Sequence, residues 1–136
     1  MIPFQAKGLD HVVLRVADLR RALDFYVGVL GCTLEKEQAG IGLTQLRVGA
    51  SLIDLVTLDG PLGRMGGRGP EREGRNMDHF AIAIAPFDEA AIRAHLERAG
   101  VAVGQIGRRY GAEGEGPSIY VGDPDGNTVE LKGPPD

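Results

Sequence analysis

Two histidines and two carboxylates occupy matching places in the two halves of this sequence. His11 and His79 lie 68 residues apart, and each stands at the start of an apolar, strand-like segment. Asp54 and Glu130 lie late in the corresponding halves, in segments that also read as strands. Two neutral imidazoles with one or two carboxylates suit Fe(II), Mn(II), Ni(II), Co(II) or Zn(II). These residue types predict a divalent metal site without choosing among the metals.

The elements that must position these residues come from an internal repeat. The segment LDHVVLRVADLRRALDFYVGVLG matches the later segment MDHFAIAIAPFDEAAIRAHLERAG. Each copy reads as a strand, an Asp-containing turn, an amphipathic helix and a glycine stop, and more strands follow. Helix caps and stops are predicted at Asp18 and Gly31 and at Asp88 and Gly100.

Each half is therefore predicted to be a βαβββ module. Module one covers about 7–58, a connector covers 59–76, and module two covers 77–133. The buried sides of the two helices are predicted at Leu19, Leu23, Tyr26 and Leu30, and at Ile92, Leu96 and Ala99. His95 falls on the second helix and receives no role.

Alternation along the strands sorts their residues into two faces. One face carries bulky aliphatic residues, as expected where helices cover a sheet. The other carries small or polar side chains and one possible metal ligand per strand. Besides the four ligands, this face presents Gln45, Arg47, Ser118 and Tyr120. We interpret it as the wall of a substrate pocket.

A simpler interpretation is that Asp54 and Glu130 face solvent and that the histidines match through duplication alone. Duplication accounts for paired histidines. It does not account for an acid at the equivalent position of both late strands, on the same face as the histidines. We favour the metal site for that reason.

Composition narrows the possible classes of protein. The 136 residues are 43% apolar and 25% charged, with a net charge of −4, which gives no global field for nucleic acid or an anionic membrane. The first ten residues lack the pattern of a signal peptide, and Cys32 is the only cysteine. We expect Cys32 to be a core residue and the protein to be cytoplasmic.

The segments LDHVVLRV, ALDFYVGVLG, MDHFAIAI and DPDGNTVEL resemble those of the vicinal oxygen chelate superfamily. That superfamily contains glyoxalase I, fosfomycin-resistance and bleomycin-resistance proteins, and extradiol dioxygenases. The resemblance covers nearly the whole chain. It implies a single α+β domain over residues 1–136, in which two tandem βαβββ modules form a cup-shaped mixed sheet with helices on the outer face.

The resemblance also implies a ligand set and a chemistry. His11, His79 and Glu130 match the metal ligands of the family. Asp54 stands where glyoxalase I has a glutamate and is one methylene shorter, so it binds the metal directly, through water, or not at all. The implied protein is a divalent-metal-dependent enzyme that chelates a small substrate through vicinal oxygens. It would catalyse an isomerase or lyase reaction through an oxyanion or enediolate, with Glu130 or Asp54 moving the proton.

Other members of the family leave alternatives open. An extradiol dioxygenase would use His11, His79 and Glu130 as its metal triad and Tyr120 as a supporting residue, but no spare histidine faces the predicted pocket. A fosfomycin-type transferase or a metal-free binding and resistance protein also fits the fold. In each case the expected partner is a small molecule, and family members commonly form homodimers.

Two glycine-rich segments are predicted to be loops. Residues 59–76 read as a flexible connector, or as a lid that carries Arg64 or Arg68 toward an acidic substrate. Residues 107–117 read as a loop whose Arg108, Arg109 and Tyr110 either bind an anion or bind nothing specific. The DPDG sequence at 123–126 predicts a turn rather than a calcium loop.

Overall fold

The computed structural model describes residues 1–136, which divide into two compact units, Met1–Gly69 and Pro70–Asp136. The boundary between the units falls inside the predicted connector. Each unit contains one four-stranded mixed sheet and one principal helical segment. No helix is both long enough and apolar enough to span a membrane.

The first unit begins its sheet with strand β1 and completes it after one helical segment. Its elements are β1 (His11–Val16), α1 (Leu19–Leu23), β2 (Thr33–Gln38), β3 (Leu43–Val48) and β4 (Ser51–Thr57). The strand order is β1-β4-β3-β2, with β1 parallel to β4 and the other pairs antiparallel. A parallel pair needs a long crossover connection, which the helix and two further strands provide here.

The second unit repeats this topology. Its elements are β5 (Phe80–Ala83), α2 (Glu89–Arg98), β6 (Val103–Gly111), β7 (Gly114–Gly122) and β8 (Thr128–Lys132). The strand order is β5-β8-β7-β6, and β5 lies parallel to β8. The predicted α+β class and the two βαβββ modules are therefore confirmed.

The helix caps and stops lie where the sequence predicts them. Asp18 accepts a hydrogen bond from the Arg21 amide at 3.1 Å, and Asp88 accepts one from the Ala91 amide at 3.0 Å. Gly31 and Gly100 have φ angles of 79° and 72°, a conformation that disfavours side chains. The repeated Asp…Gly spacing thus sets where each helical segment begins and ends.

The predicted buried side of the first helix is only partly correct. After α1 the chain continues as a π-helical segment, Asp24–Val29, in which the Leu30 amide bonds to the Phe25 carbonyl. Tyr26 is buried as predicted, together with Ala22 and Phe25, whereas Leu19, Leu23 and Leu30 are half-buried. In α2, Leu96 is buried as predicted, but Ala99 is exposed because it is the C-terminal cap.

The last strand of each unit, β4 or β8, is buried on both faces. Ile53 and Leu55 of β4 lie in the apolar core of the first unit, and Val129 and Leu131 of β8 lie in that of the second. The opposite faces of these strands carry Asp54 and Glu130. Their alternation places the two carboxylates away from the aliphatic core but still within the protein.

The predicted loop at 107–117 is instead a β-hairpin formed by β6 and β7. Glycines of this hairpin lie where atoms of neighbouring residues come close to its backbone. A Cβ on Gly116 would lie 2.6 Å from the Pro134 carbonyl, and one on Gly111 would lie 3.3 Å from the Lys132 side chain. Glycine here marks close packing within a strand rather than a flexible loop.

The connector makes ordered contacts near both of its ends. Arg15 donates hydrogen bonds to the carbonyls of Gly63, Gly67 and Arg68. Arg75 donates to the Asn127 side chain at 3.1 Å and to the Asp125 carbonyl at 2.7 Å. These contacts fix parts of 59–76 within their own units, beyond what its composition predicts.

The DPDG segment forms the predicted turn. One oxygen of the Asp123 carboxylate accepts the amides of Asp125 and Asn127, and the other accepts the Asn127 side-chain amide. The carboxylate therefore organises the turn that leads into β8, and this turn sets the position of Glu130.

Candidate metal centre

His79 and Glu130 form a contact pair in the second unit. The Nε2 atom of His79 lies 3.3 Å from Oε1 of Glu130. Glu130 is 6% exposed, and no second hydrogen bond engages its carboxylate. The other ring nitrogen, Nδ1, donates to the Asp78 carboxylate at 2.7 Å. An imidazole held in this way directs Nε2 toward Glu130 and toward any ion bound there.

The first unit contains a matching but looser pair. Nε2 of His11 lies 3.9 Å from Oδ2 of Asp54, and Nδ1 donates to Asp10 at 2.7 Å. Asp54 is 4% exposed, and each of its two oxygens accepts a hydrogen bond of 3.3 Å from the side-chain amide of Gln45. The hydrogen bond to Asp10, followed by the charge of Asp54, raises the pKa of His11 above its usual value.

The burial of both carboxylates contradicts one part of the simpler interpretation, that they face solvent. Asp54 and Glu130 do not face solvent. A buried carboxylate is costly unless it is hydrogen-bonded, paired or bound to a cation. Each of these carboxylates faces an imidazole, and the arrangement occurs in both units.

The sequence reading assigned no role to the residue before each histidine. Asp10 and Asp78 occupy that place, and each binds Nδ1 of the adjacent imidazole. A carboxylate on the second ring nitrogen is the usual support of a metal-ligating histidine, because it fixes the tautomer and raises the basicity of the ligand. The repetition of an Asp-His pair, in LDH and in MDH, is the sequence feature that could have predicted this support.

Ser118 and Tyr120, predicted to line the pocket, lie on the same face as Glu130. Tyr120 is the cross-strand partner of Glu130, and its ring centre lies 5.2 Å from that of His79. Ser118 is fully buried, and its hydroxyl accepts a hydrogen bond of 2.5 Å from Arg109. The Arg109 guanidinium also lies 4.1 Å above the Tyr120 ring.

The predicted pocket residues of the first unit have other partners. Gln45 binds Asp54, so it supports a candidate ligand. Arg47 pairs with Glu35 at 3.1 Å across the β2–β3 ladder, in a partly exposed position. This ion pair lowers the pKa of Glu35 and raises that of Arg47. The structure therefore places Arg47 in a strand-pairing contact, not beside Asp54.

The donor chemistry fits a divalent metal. The structure brings the candidate ligands together in twos, and it gathers no group of three or more His, Cys, Asp or Glu side chains that could hold an ion. Within each pair, the Nε2 atom of a supported imidazole meets a buried carboxylate. Imidazole nitrogen and carboxylate oxygen are the ligands that first-row divalent metals accept.

Comparison with known proteins places the chain in a family. Residues 8–131 match the model of the Glyoxalase/Bleomycin resistance protein/Dioxygenase superfamily. The chain belongs to this superfamily, as the sequence resemblance predicted.

Several relatives illustrate the range of this superfamily. The glutathione transferase FosA of Serratia marcescens is 31% identical over 92% of this chain and 79% of its own length. The catechol-2,3-dioxygenase of Bacillus subtilis is 27% identical over 90% of this chain, which spans only 40% of the dioxygenase. The crystal structure of virulence protein STM3117 from Salmonella typhimurium has a TM-score of 0.73 at 25% identity, and the alignment covers 97% of this chain and all of that one. Relatives with such different names share the fold, so the reaction must be argued from the site.

Proposed function

We propose that this protein is a divalent-metal-dependent enzyme of the glyoxalase-like type. The observation that supports the proposal most strongly is the repeated pair, His11 with Asp54 and His79 with Glu130. In both, an aspartate supports the imidazole and the facing carboxylate is buried. A purely structural histidine needs neither feature.

The proposal gives each residue a role. His11, His79 and Glu130 are the proposed metal ligands, and Asp54 is either a further ligand or a supporting carboxylate. When bound, the metal supplies Lewis acidity that stabilises negative charge on vicinal oxygens of a small substrate. Fe, Mn, Ni, Co and Zn all remain candidates.

The protein's own side chains supply the proton transfer. Glu130 lies in a buried position 3.3 Å from His79, so it can accept a proton from a substrate carbon and return it to a neighbouring one. Asp54 is the alternative base, although Gln45 engages both of its oxygens. Ser118 and Tyr120 line the face on which Glu130 lies. The reaction class that these roles favour is an isomerase or lyase.

Metal analysis tests the proposal directly. The wild-type protein should retain about one divalent ion per site after dialysis, and the double variant His11→Ala/His79→Ala should retain none. His95→Ala is the matched control, because His95 is exposed on α2 and should not affect metal content. Equal retention by wild type and the double variant would contradict the proposal. The metal-loaded protein should then be tested with methylglyoxal–thiol adducts, fosfomycin and catechols.

One observation favours an extradiol dioxygenase as a second candidate. Tyr120 lies beside His79, where its phenolic hydroxyl can donate a hydrogen bond to an oxygenated ring substrate. Oxygen consumption with catechols, lost in Tyr120→Phe, would favour this candidate over the isomerase or lyase. Activity without oxygen would favour the first.

The proposal extends to the setting of the enzyme. We propose a cytoplasmic protein that acts as a homodimer on a small molecule. Light scattering of the purified chain should give the mass of a dimer, and a monomer mass would contradict that part of the proposal.

A further inference from the structure

Two cationic side chains on the Glu130 face of the second sheet have no acidic partner. Lys132 is only 8% exposed, and its ammonium donates to a single acceptor, the Gly133 carbonyl at 2.8 Å. Arg109 is half-buried and contacts the carbonyl and hydroxyl of Ser118. Buried lysines are rare unless they are paired, so this positive charge calls for an explanation.

The sheet register places Arg109 and Lys132 on the same face of the second sheet, on either side of β7. Gly116 of β7 is the cross-strand partner of Arg109, and a Cβ on Gly116 would lie 2.9 Å from Nζ of Lys132. Ser118, which anchors Arg109, is the cross-strand partner of Lys132. Both side chains therefore lie along β7, the guanidinium of Arg109 at Ser118 and Tyr120 and the ammonium of Lys132 at Gly116.

Arg109 is also linked to the candidate metal ligands. Its guanidinium stacks on Tyr120 at 4.1 Å, and the Tyr120 ring contacts that of His79 at 5.2 Å. Only Nη1 of the guanidinium makes hydrogen bonds within the protein. An arginine has five N–H donors in a planar fork, so donors remain for a ligand beside the His79–Glu130 pair.

The neighbours of Arg109 show that this arrangement is specific. Arg108 pairs with Asp136 at 2.7 Å and with Glu115 at 3.7 Å, and the Tyr110 side chain is 85% exposed. Gly107 lies beside the guanidinium, since a Cβ there would be 3.8 Å from its nitrogens. Of the three residues Arg-Arg-Tyr, Arg109 alone faces the candidate site.

We propose that the substrate carries an anionic oxygen group, a carboxylate or a phosphonate or phosphate, that is bound by Arg109. Lys132 adds positive potential, and Ser118 with Tyr120 hold the guanidinium in place. This inference rests on the proposed function, because it names the substrate class of that site. Arg109 selects anionic over neutral substrates, and it takes no part in moving protons or electrons.

Binding of simple anions tests the inference separately from metal binding. Methylphosphonate and acetate are titrated into the Mn²⁺-loaded and the metal-free protein, with neutral acetamide as the uncharged probe. Isothermal titration calorimetry measures anion affinity, and electron paramagnetic resonance measures Mn²⁺ affinity. The anion that binds more tightly identifies the phosphonate or the carboxylate class of substrate.

The variants are Arg109→Gln and, as the matched control, Arg108→Gln. We expect Arg109→Gln to weaken binding of the preferred anion by about tenfold or more, because it removes a charge-assisted hydrogen bond. Arg109→Lys should lie between wild type and Arg109→Gln, since it keeps the charge but loses the fork. Arg108→Gln should bind the anion as wild type does, and Mn²⁺ affinity should be unchanged in all three variants.

The two proposals fail in different ways. Wild-type protein that binds anions but no Mn²⁺ would contradict the metal centre and leave Arg109 as an anion site. Anion binding that is the same in Arg109→Gln and wild type would overturn the inference about Arg109, as would wild-type protein that binds neither anion or binds acetamide equally well. Circular dichroism of each variant confirms that the fold is retained.

Discussion

The two units contain the same histidine–carboxylate pair in two different states. In the second unit the imidazole and carboxylate are 3.3 Å apart, and in the first they are 3.9 Å apart. Asp54 is held by Gln45, whereas the Glu130 carboxylate has no hydrogen bond besides its contact with His79. Glutamate is also one methylene longer. The comparison favours Glu130 over Asp54 as the proposed metal ligand, because Gln45 already engages Asp54.

The surroundings of the two pairs differ as well. On the Asp54 face of the first sheet, Arg47 forms an ion pair with Glu35. The arginine of the second sheet, Arg109, stacks on Tyr120 and has no acidic partner. Both units therefore contain a histidine–carboxylate pair, and in the second unit an arginine without an acidic partner is linked to that pair through Tyr120.

The largest expected effect is the loss of a histidine ligand. His79→Ala should abolish metal binding, and its effect should exceed the about 10–100-fold loss that follows removal of a supporting residue. His11→Ala tests the first pair separately. Metal content after dialysis and calorimetric affinity measure the loss. If His11→Ala retains metal and His79→Ala does not, the pair of His79 and Glu130 is sufficient for metal binding.

Removal of the two carboxylates should weaken metal binding by different amounts. We expect Glu130→Ala to weaken metal binding more than Asp54→Ala, because Glu130 lies closer to its imidazole and is not engaged by an amide. Parallel metal titrations of the two variants measure the difference. Equal losses would instead indicate that Asp54 also binds the metal directly.

A smaller loss of metal affinity is expected when the aspartates that bind Nδ1 of the histidines are changed. Asp10→Asn and Asp78→Asn keep the shape of the side chain but lose its charge, so each should lower metal affinity by about tenfold. Asp59→Asn is a control within the connector. If Asp78→Asn binds metal as wild type does, the contact between Asp78 and His79 does not support a ligand.

The smallest effect concerns the titration of His11 in the metal-free protein. Its pKa is raised, first by the hydrogen bond to Asp10, so the imidazolium persists to a higher pH than in an unperturbed histidine. Asp10→Asn should therefore shift the titration of His11 to lower pH. Proton NMR of the imidazole measures this shift, and His95 serves as a reference in the same spectra. An unchanged titration of His11 would show that Asp10 does not raise its pKa.

Much of the scaffold follows from local patterns in the sequence. The Asp…Gly spacing predicts both helical segments, because capping depends on groups a few residues apart. Alternation along the strands correctly separates Glu130 from Val129 and Leu131. The matching histidines and late carboxylates are visible for the same reason, since duplication preserves local order.

The tertiary structure decided which of these residues meet. From the sequence alone, Arg47 and Arg109 both read as candidates near the site, yet one pairs with Glu35 and the other stacks on Tyr120. Hairpin register also turned a glycine-rich segment into two strands and placed Lys132 against Gly116. The sequence by itself determined the two modules, their helix ends and the ligand types. Only the folded chain decided which charges are neutralised, because cross-strand partners are set by register between distant segments and not by local spacing.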